Sequence, residues 1–321
     1  MKEIGGYFEI ELRKEGPFHP EAIALNTGRN AFEYILKLRG YKKVYLPYFT
    51  CDTMMEPIRK LEIDHEFYHI NEQFEPVFDF SRIGNDQTFV LNNYFGLFDR
   101  NVKKVGENCP NLIIDNCQSF FSGPLERIDT FYSARKFFGV PDGAYLYLKG
   151  QQTRITDKLE TDQSLARIEY LFKRIESGTG AAYEDFKNIQ DELSYNPIRK
   201  MSDITGSLLK SIDYDHAAKR RRMNFEFLHY ELKDTNLLRH ELDEKTVPML
   251  YPFMVDNPEL RSILIRNKIY IPTYWPNVFE WCSPDSLEYR LAKNVLYLPV
   301  DQRYGEKEMN RIIEVITKAE I

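Results

Sequence analysis

Four cysteines in 321 residues, none of them in a Cys-x-x-Cys pair, leave no disulfide framework to read. Cys51, Cys109, Cys117 and Cys282 are predicted to be reduced thiols, as in a cytoplasmic protein. No apolar run approaches the ~20 residues that a membrane span needs. The N-terminal stretch MKEIGGYFEIELRKEG carries charges where a signal peptide has its apolar core. Neither sign of charge dominates: 43 Lys+Arg against 49 Asp+Glu leave a net charge of -6 without long single-sign blocks. That excludes the strongly basic face of a dedicated nucleic-acid binder. The six histidines show no His-Glu-x-x-His or other metal spacing, so no metal site is expected. No Gly-x-Gly-x-x-Gly follows an early strand, which disfavours a dinucleotide-binding oxidoreductase. Repeats, low-complexity tracts and Ser/Gly linkers are also absent. What remains is a globular chain of roughly two domains at about 150 residues each, long enough to bury a sizeable core.

Between residues 20 and 150, short apolar runs alternate with helical patterns. The strand-like runs are Val44–Leu46, Phe67–Ile70, Phe89–Leu91, Leu112–Ile114, Thr130–Tyr132 and Ala144–Leu148. Ala31, Tyr34, Ile35 and Leu38 follow the polar Asn26–Arg29 at helical spacing. This alternation predicts an α/β domain with a largely parallel sheet. Ligands in such sheets collect beyond the carboxyl ends of the strands. Residues 151–195 read as polar and helical. Ser202 reads as a helix start, and the helical pattern runs through Lys219–Arg222, a solvated face, to Leu228. The remainder is predicted to be a smaller α+β unit with strands around Met249–Val255 and Ile269–Pro272 and a closing helix at Glu306–Ala319. The expected division is 1–215 for the large domain and 216–321 for the small one. Whether the N-terminal segment packs on the small domain is left open.

Three polar positions after these runs point to chemistry. Asp115 directly follows Leu112–Ile114 and either serves a ligand or caps a helix. Lys136 follows the next run, just before the Gly139–Gly143 turn, and is either a pocket lysine or a solvated one. Gly28 sits at a helix start, where free N–H groups and the helix dipole favour an anion. Arg135 is read equally as a contact to phosphate or substrate and as a support of core backbone. A lysine, a carboxylate and a phosphate cradle are what pyridoxal phosphate (PLP) requires of a protein. Tyr274-Trp275 is read as core packing or as the aromatic lining of a sugar or base entrance.

In these segments the chain resembles the DegT/DnrJ/EryC1/StrS group of PLP-dependent sugar aminotransferases, of fold type I. The resemblance runs in order over most of the chain. It rests on Asp115-Asn-Cys-Gln118, Ser133-Ala-Arg-Lys136 with Gly139 and Asp142-Gly143, Tyr195-Asn196 with Arg199-Lys-Met201-Ser-Asp203, and Val295-Leu-Tyr-Leu-Pro299. By that resemblance Lys136 would bond the cofactor and carry protons, and Asp115 would hold the pyridine nitrogen protonated. Gln118 would bond the ring hydroxyl. Gly28 and Arg29 would bind phosphate through backbone N–H groups, with Ser133 adding a hydroxyl. Asn196 would reach the phosphate of a neighbouring subunit, which implies a homodimer.

Four departures from the family pattern stand out. Cys51 follows Pro47-Tyr-Phe-Thr50 where an aromatic ring usually stacks on the cofactor, so either Cys51 lies on the ring face or Tyr48 or Phe49 takes the role. Phe131 replaces the serine five residues before the lysine. Asn93 stands in place of a histidine. One extra residue separates Asn196 from Arg199-Lys-Met201. The implied activity is transfer of an amino group from glutamate or glutamine to a nucleotide-linked keto-sugar, as in polysaccharide biosynthesis. The alternatives are a dehydratase-like reaction on a similar sugar, and a non-catalytic relative that uses the fold for binding or regulation.

Overall fold

The computed structural model describes residues 4–150 and 158–319. Among the described residues ten strands form two sheets. The first eight are β1 (Ile23–Leu25), β2 (Lys43–Pro47), β3 (Asp64–Ile70), β4 (Pro76–Val77), β5 (Gln87–Asn92), β6 (Leu112–Asp115), β7 (Asp129–Ser133) and β8 (Ala144–Tyr147). They lie in the order β1-β8-β7-β6-β5-β2-β3-β4. The central strands β3, β2, β5, β6 and β7 pair in parallel, and β8, β1 and β4 are antiparallel at the flanks. The order reverses between β5 and β2, the place where an open α/β sheet leaves a crevice beyond its strand ends.

The apolar runs become central strands because both faces of the sheet are covered. Alternate residues go to opposite sides. Tyr45, Phe89, Leu91, Leu112, Ile114 and Tyr132 enter one core. Val44, Leu46, Val90, Ile113 and Phe131 enter the other, together with Phe32 and Ile35 of helix α1 (Gly28–Arg39). Thr27 caps α1 by accepting from the Asn30 N–H, and Gly40 closes it in the left-handed conformation with its N–H on the Leu36 carbonyl. Helix α2 (Met55–Lys60) packs into the same core as α1, and α3 (Asp99–Gly106) packs into the other through Val102 and Val105.

Residues 169–192 form α4 (Glu169–Ala181) and α5 (Tyr183–Glu192), a pair with a small core of its own around Tyr170, Ile189 and Leu193. The expected long helix from Ser202 is two helices, α6 (Asp203–Lys210) and α7 (Tyr214–Leu232). Ser202 does cap the first, but Asp213 starts the second by accepting from the His216 N–H, which breaks the run. Lys219–Arg222 is not wholly solvated either: Arg221 is only 1% exposed. Its guanidinium donates to the carbonyls of Pro248, Met249 and Phe137 and to Gln302, and lies 4.5 Å from the Phe137 ring.

The second sheet pairs β9 (Leu250–Met254) with β10 (Val295–Pro299), antiparallel. It packs on α7, α8 (Leu260–Arg266) and α11 (Glu306–Ala319), and α9 (Val278–Trp281) and α10 (Leu287–Asn294) precede β10. The strand expected at Ile269–Pro272 is not formed. The Ile269 N–H closes α8 on the Leu264 carbonyl, and the Pro272 carbonyl accepts from Arg261. The side of β9 is taken by β10 instead. At the N-terminus, Ile4, Tyr7 and Phe8 are exposed. The Glu15 and Gly16 N–H groups bond the Lys210 carbonyl, and Phe18 packs on Phe120, Phe121 and Tyr214. No helix among the described residues is long and apolar enough to cross a membrane.

Candidate active site

A cavity of about 450 Å³ opens where β2, β5, β6 and β7 end. Strand register brings its polar residues to one level: Asn92 pairs with Asp115 between β5 and β6, and Asp115 pairs with Phe131 between β6 and β7. The N-terminus of α1 (Thr27, Gly28, Arg29) forms one wall, and Thr50, Cys51 and Thr53 another. Phe186, Gln190 and Leu193 cover it from the α5 segment, and Pro272, Tyr274 and Trp275 reach in from the C-terminal part.

Nine of the ten predicted site residues line this one cavity: Gly28, Arg29, Cys51, Asp115, Gln118, Ser133, Lys136, Tyr274 and Trp275. Asn196 does not. Its side chain donates to the Glu192 carbonyl, and its own carbonyl accepts from Asn30 and Lys60. Neither Tyr48 nor Phe49 lines the cavity. Tyr48 packs on Phe67 and His69, and Phe49 is fully buried against Trp275 and Tyr94. Of the three candidates for the ring face, Cys51 is the one that lines the cavity, with Thr53 donating to its sulfur.

Asp115 accepts a hydrogen bond from the Cys117 N–H at 2.8 Å. Burial pushes its carboxyl above the usual carboxylate range, while the Cys117 bonds and the charge of Lys136 pull the other way. A cationic group placed against Asp115 would restore its ionised form. Gln118 has its carbonyl oxygen committed to the Phe95 N–H at 3.2 Å, which leaves its NH2 as a donor for a ligand. Asn93, in the place of a histidine, holds Asp99 and Asn116 through its amide nitrogen.

Lys136 ends a single turn of 3-10 helix, Ala134–Lys136, that follows β7 directly. Consecutive strand residues point to opposite faces, but this turn lets Arg135 and Lys136 share the cavity. The turn is held by the Ala134 N–H on the carbonyl of Gly143, whose φ of +113° suits glycine. Tyr274 is half-buried, its desolvation raises its hydroxyl above the ordinary tyrosine range, and the charge of Lys136 opposes that rise.

The α1 wall is shaped by Gly28. A Cβ at this position would lie 3.0 Å from the Cys117 sulfur and 3.8 Å from the Ser133 Cβ. The missing side chain thus keeps the first turn of α1 close to the ends of β6 and β7. The Arg29 side chain turns away to Glu56 at 2.6 Å and to Ser194, so Arg29 offers the cavity its backbone N–H alone.

Sequence reasoning missed Thr50, Asn92, Cys117 and the α5 cover. Asn92 and Cys117 sit just past apolar runs, which is a usable signal. Phe186 and Gln190 lie in a polar helix without one.

No protein-family model and no curated protein matches the chain. Solved structures do. The sugar aminotransferase CalS13 from Micromonospora echinospora superposes with a TM-score of 0.66 at 16% identity, covering 93% of this chain and 87% of that one. A DegT DnrJ EryC1 StrS aminotransferase from Brucella abortus gives 0.61 at 17% identity, over 92% and 85%. Spr1654 from Streptococcus pneumoniae, solved in its PLP form, gives 0.65 at 15%, over 94% and 87%. The chain therefore has the fold of these aminotransferases, that of the fold type I PLP-dependent transferases: a mostly parallel sheet flanked by helices, followed by a smaller α+β part.

Proposed function

We propose that this protein is a PLP-dependent aminotransferase that moves an amino group from glutamate or glutamine to a nucleotide-linked keto-sugar. The observation that carries the reading is the joint placement of Asp115, Lys136 and the N-terminus of α1 on one cavity. The residues fit the cofactor. The cradle at Gly28 is one that a Cβ would fill, and among the described residues Asp115 has no cationic hydrogen-bond partner.

In this reading Gly28, Arg29 and Ser133 hold the phosphate, the first two by backbone N–H groups. Asp115 would hold the pyridine nitrogen and Gln118 the ring hydroxyl, and Cys51 lines the wall of the same cavity. When bound, the cofactor supplies an electron sink for the amino carbon. Lys136 would bond the cofactor and would hold the proton that moves to and from the substrate carbon. Tyr274 and Trp275 present aromatic faces to the acceptor sugar. The sugar-aminotransferase neighbours support that substrate class.

A homodimer belongs to the same reading. Asn196 lies outside this chain's own cavity, and Phe172, Ile175, Tyr183 and Tyr195 are exposed on the α4–α5 side next to it. Light scattering gives the mass, and an Asn196→Ala variant that keeps full cofactor affinity would remove the cross-subunit role.

The visible spectrum of the purified protein with added PLP tests the function. An absorbance band in wild type, missing in Lys136→Ala and bleached by glutamate, is expected. The activity of that variant should fall by about 100- to 10,000-fold, the range for losing a positioned acid/base. A band that glutamate leaves intact would favour the dehydratase-like alternative. No band in wild type would favour a binding module.

A further inference from the structure

Two arginines, Arg29 and Arg135, line the cavity, and among the described residues only Arg29 has a salt bridge. Both are tied to the end of α5. Arg29 donates to Ser194, whose hydroxyl bonds the Gln190 carbonyl, and Arg135 donates to the Gln190 side chain at 3.2 Å. Arg29 is neutralised by Glu56. Arg135 has no carboxylate within salt-bridge distance among the described residues. Its Nε is buried without a hydrogen-bond partner. Burial lowers its guanidinium below the ordinary arginine range, Tyr170 beside it acts in the opposite sense, the charge of Arg29 adds to the lowering, and the more distant charge of Asp142 opposes it without forming a salt bridge.

A desolvated cation left without a counter-charge is unfavourable, and Gln190 is neutral and cannot supply one. Among the described residues no carboxylate pairs with it, which leaves the guanidinium free to take an anionic ligand. Its position narrows the choice. Arg135 lies two residues beyond Ser133, whose Cβ is 3.8 Å from where a Gly28 Cβ would be. The guanidinium and the free N–H groups of α1 therefore serve the same corner of the cavity. Planar guanidinium donors match the oxygens of a phosphate.

We propose that Arg135 is a phosphate-binding residue that shares one phosphate monoester with the N-terminus of α1. The inference rests on the cofactor reading above for the identity of that monoester, the phosphate of PLP. It gives the chain a cationic phosphate contact in the residue directly before the cofactor lysine. The same turn would then fix both ends of the cofactor.

Titrations of the apo-protein with PLP and with pyridoxal, which lacks the phosphate, test this by absorbance. Arg135→Gln should weaken PLP by about 10- to 100-fold, the worth of a hydrogen bond to a charged group, and leave pyridoxal unchanged. Arg135→Lys should recover part of the loss, and circular dichroism confirms that each variant folds. Equal weakening of both ligands, or none, overturns the proposal while the cofactor reading stands. An unchanged PLP affinity with more glutamate needed to bleach the band would assign Arg135 to the donor carboxylate instead, and also overturns it. If wild type binds no PLP, the cofactor reading fails and inorganic phosphate decides. Phosphate that raises the melting temperature of wild type but not of Arg135→Gln upholds the site, and phosphate without that difference ends it.

Discussion

The guanidinium of Arg29 lies 2.6 Å from the carboxylate of Glu56, and both side chains are nearly buried, 11% and 7% exposed. Glu56 also accepts from the Tyr195 N–H at 2.7 Å. One carboxylate thus joins the first turn of α1 to the segment that carries Asn196. Glu56→Ala leaves Arg29 buried and unpaired and should cost about 3–5 kcal/mol, the range for breaking a buried pair from one side. Urea unfolding followed by circular dichroism measures it, and a loss below about 1 kcal/mol would place the pair with surface bridges.

Gly28 and Cys117 are coupled by contact. Gly28→Ala puts a methyl 3.0 Å from the Cys117 sulfur, so the sulfur or the first turn of α1 must give. The variant should bind PLP more weakly with a smaller change in stability. Cys117→Ala in the same chain should recover affinity. A double-mutant cycle in PLP binding should give a coupling of about 0.5–3 kcal/mol, and strict additivity would argue that the two side chains do not share the space.

Asp115 gives a prediction with a sign. Its folded-state value is raised by burial, so its contribution to the stability of the apo-protein is fully present at low pH and is lost as pH rises through that value. Asp115→Asn keeps an oxygen for the Cys117 N–H and removes the charge. The apo variant should be more stable than wild type near neutral pH, with the difference closing toward about pH 4, the ordinary carboxylate value. In the presence of PLP the order should invert, because the variant no longer ionises against the pyridine nitrogen. Thermal melts with and without PLP at several pH values measure both effects.

His19 and His240 set the acid limit. His19 is packed among Phe120, Tyr132 and Tyr145 and bonds the Phe120 carbonyl at 2.8 Å. His240 bonds the Pro252 carbonyl at 2.6 Å. Burial lowers each from 6.5 to about 4. A depressed folded value means that stability is present above pH 6.5 and drains as pH falls toward 4. Each residue then accounts for on the order of 3 kcal/mol by pH 4. His19→Gln, which retains a donor for the Phe120 carbonyl, should flatten the acid limb of urea midpoints measured from pH 7 to 4.

The central strands were legible because each is buried on both faces and so is written as a short apolar run; β5 and β6 are clear cases. The two-residue β4 has too little sequence to leave a pattern. The Ile269–Pro272 run misleads for a different reason: only Ile269 is buried, in the loop that closes α8, while Tyr270 is exposed, and an apolar composition alone does not distinguish such a loop from a strand. In the site, Asp115 and Lys136 could be found because they directly follow strands. The shared facing of Arg135 and Lys136 could not, since it depends on a single 3-10 turn that overrides the alternation of β7. Gln190 and Phe186 depend on how α5 lies over the sheet ends, and nothing in a polar helix announces that.

Arg221 gives the molecule a mechanical property. Its guanidinium holds the Phe137 carbonyl on one side and those of Pro248 and Met249 on the other, and Gln302 donates to the same Phe137 oxygen. The residue after Lys136 is thus riveted to the C-terminal third of the chain. Two sheets divide the architecture, yet the turn bearing the lysine cannot keep its shape if the smaller one melts. Heating should produce one cooperative transition in which the visible band and the far-ultraviolet signal vanish together, and a fragment ending ahead of α7 should leave Lys136 without a fixed address.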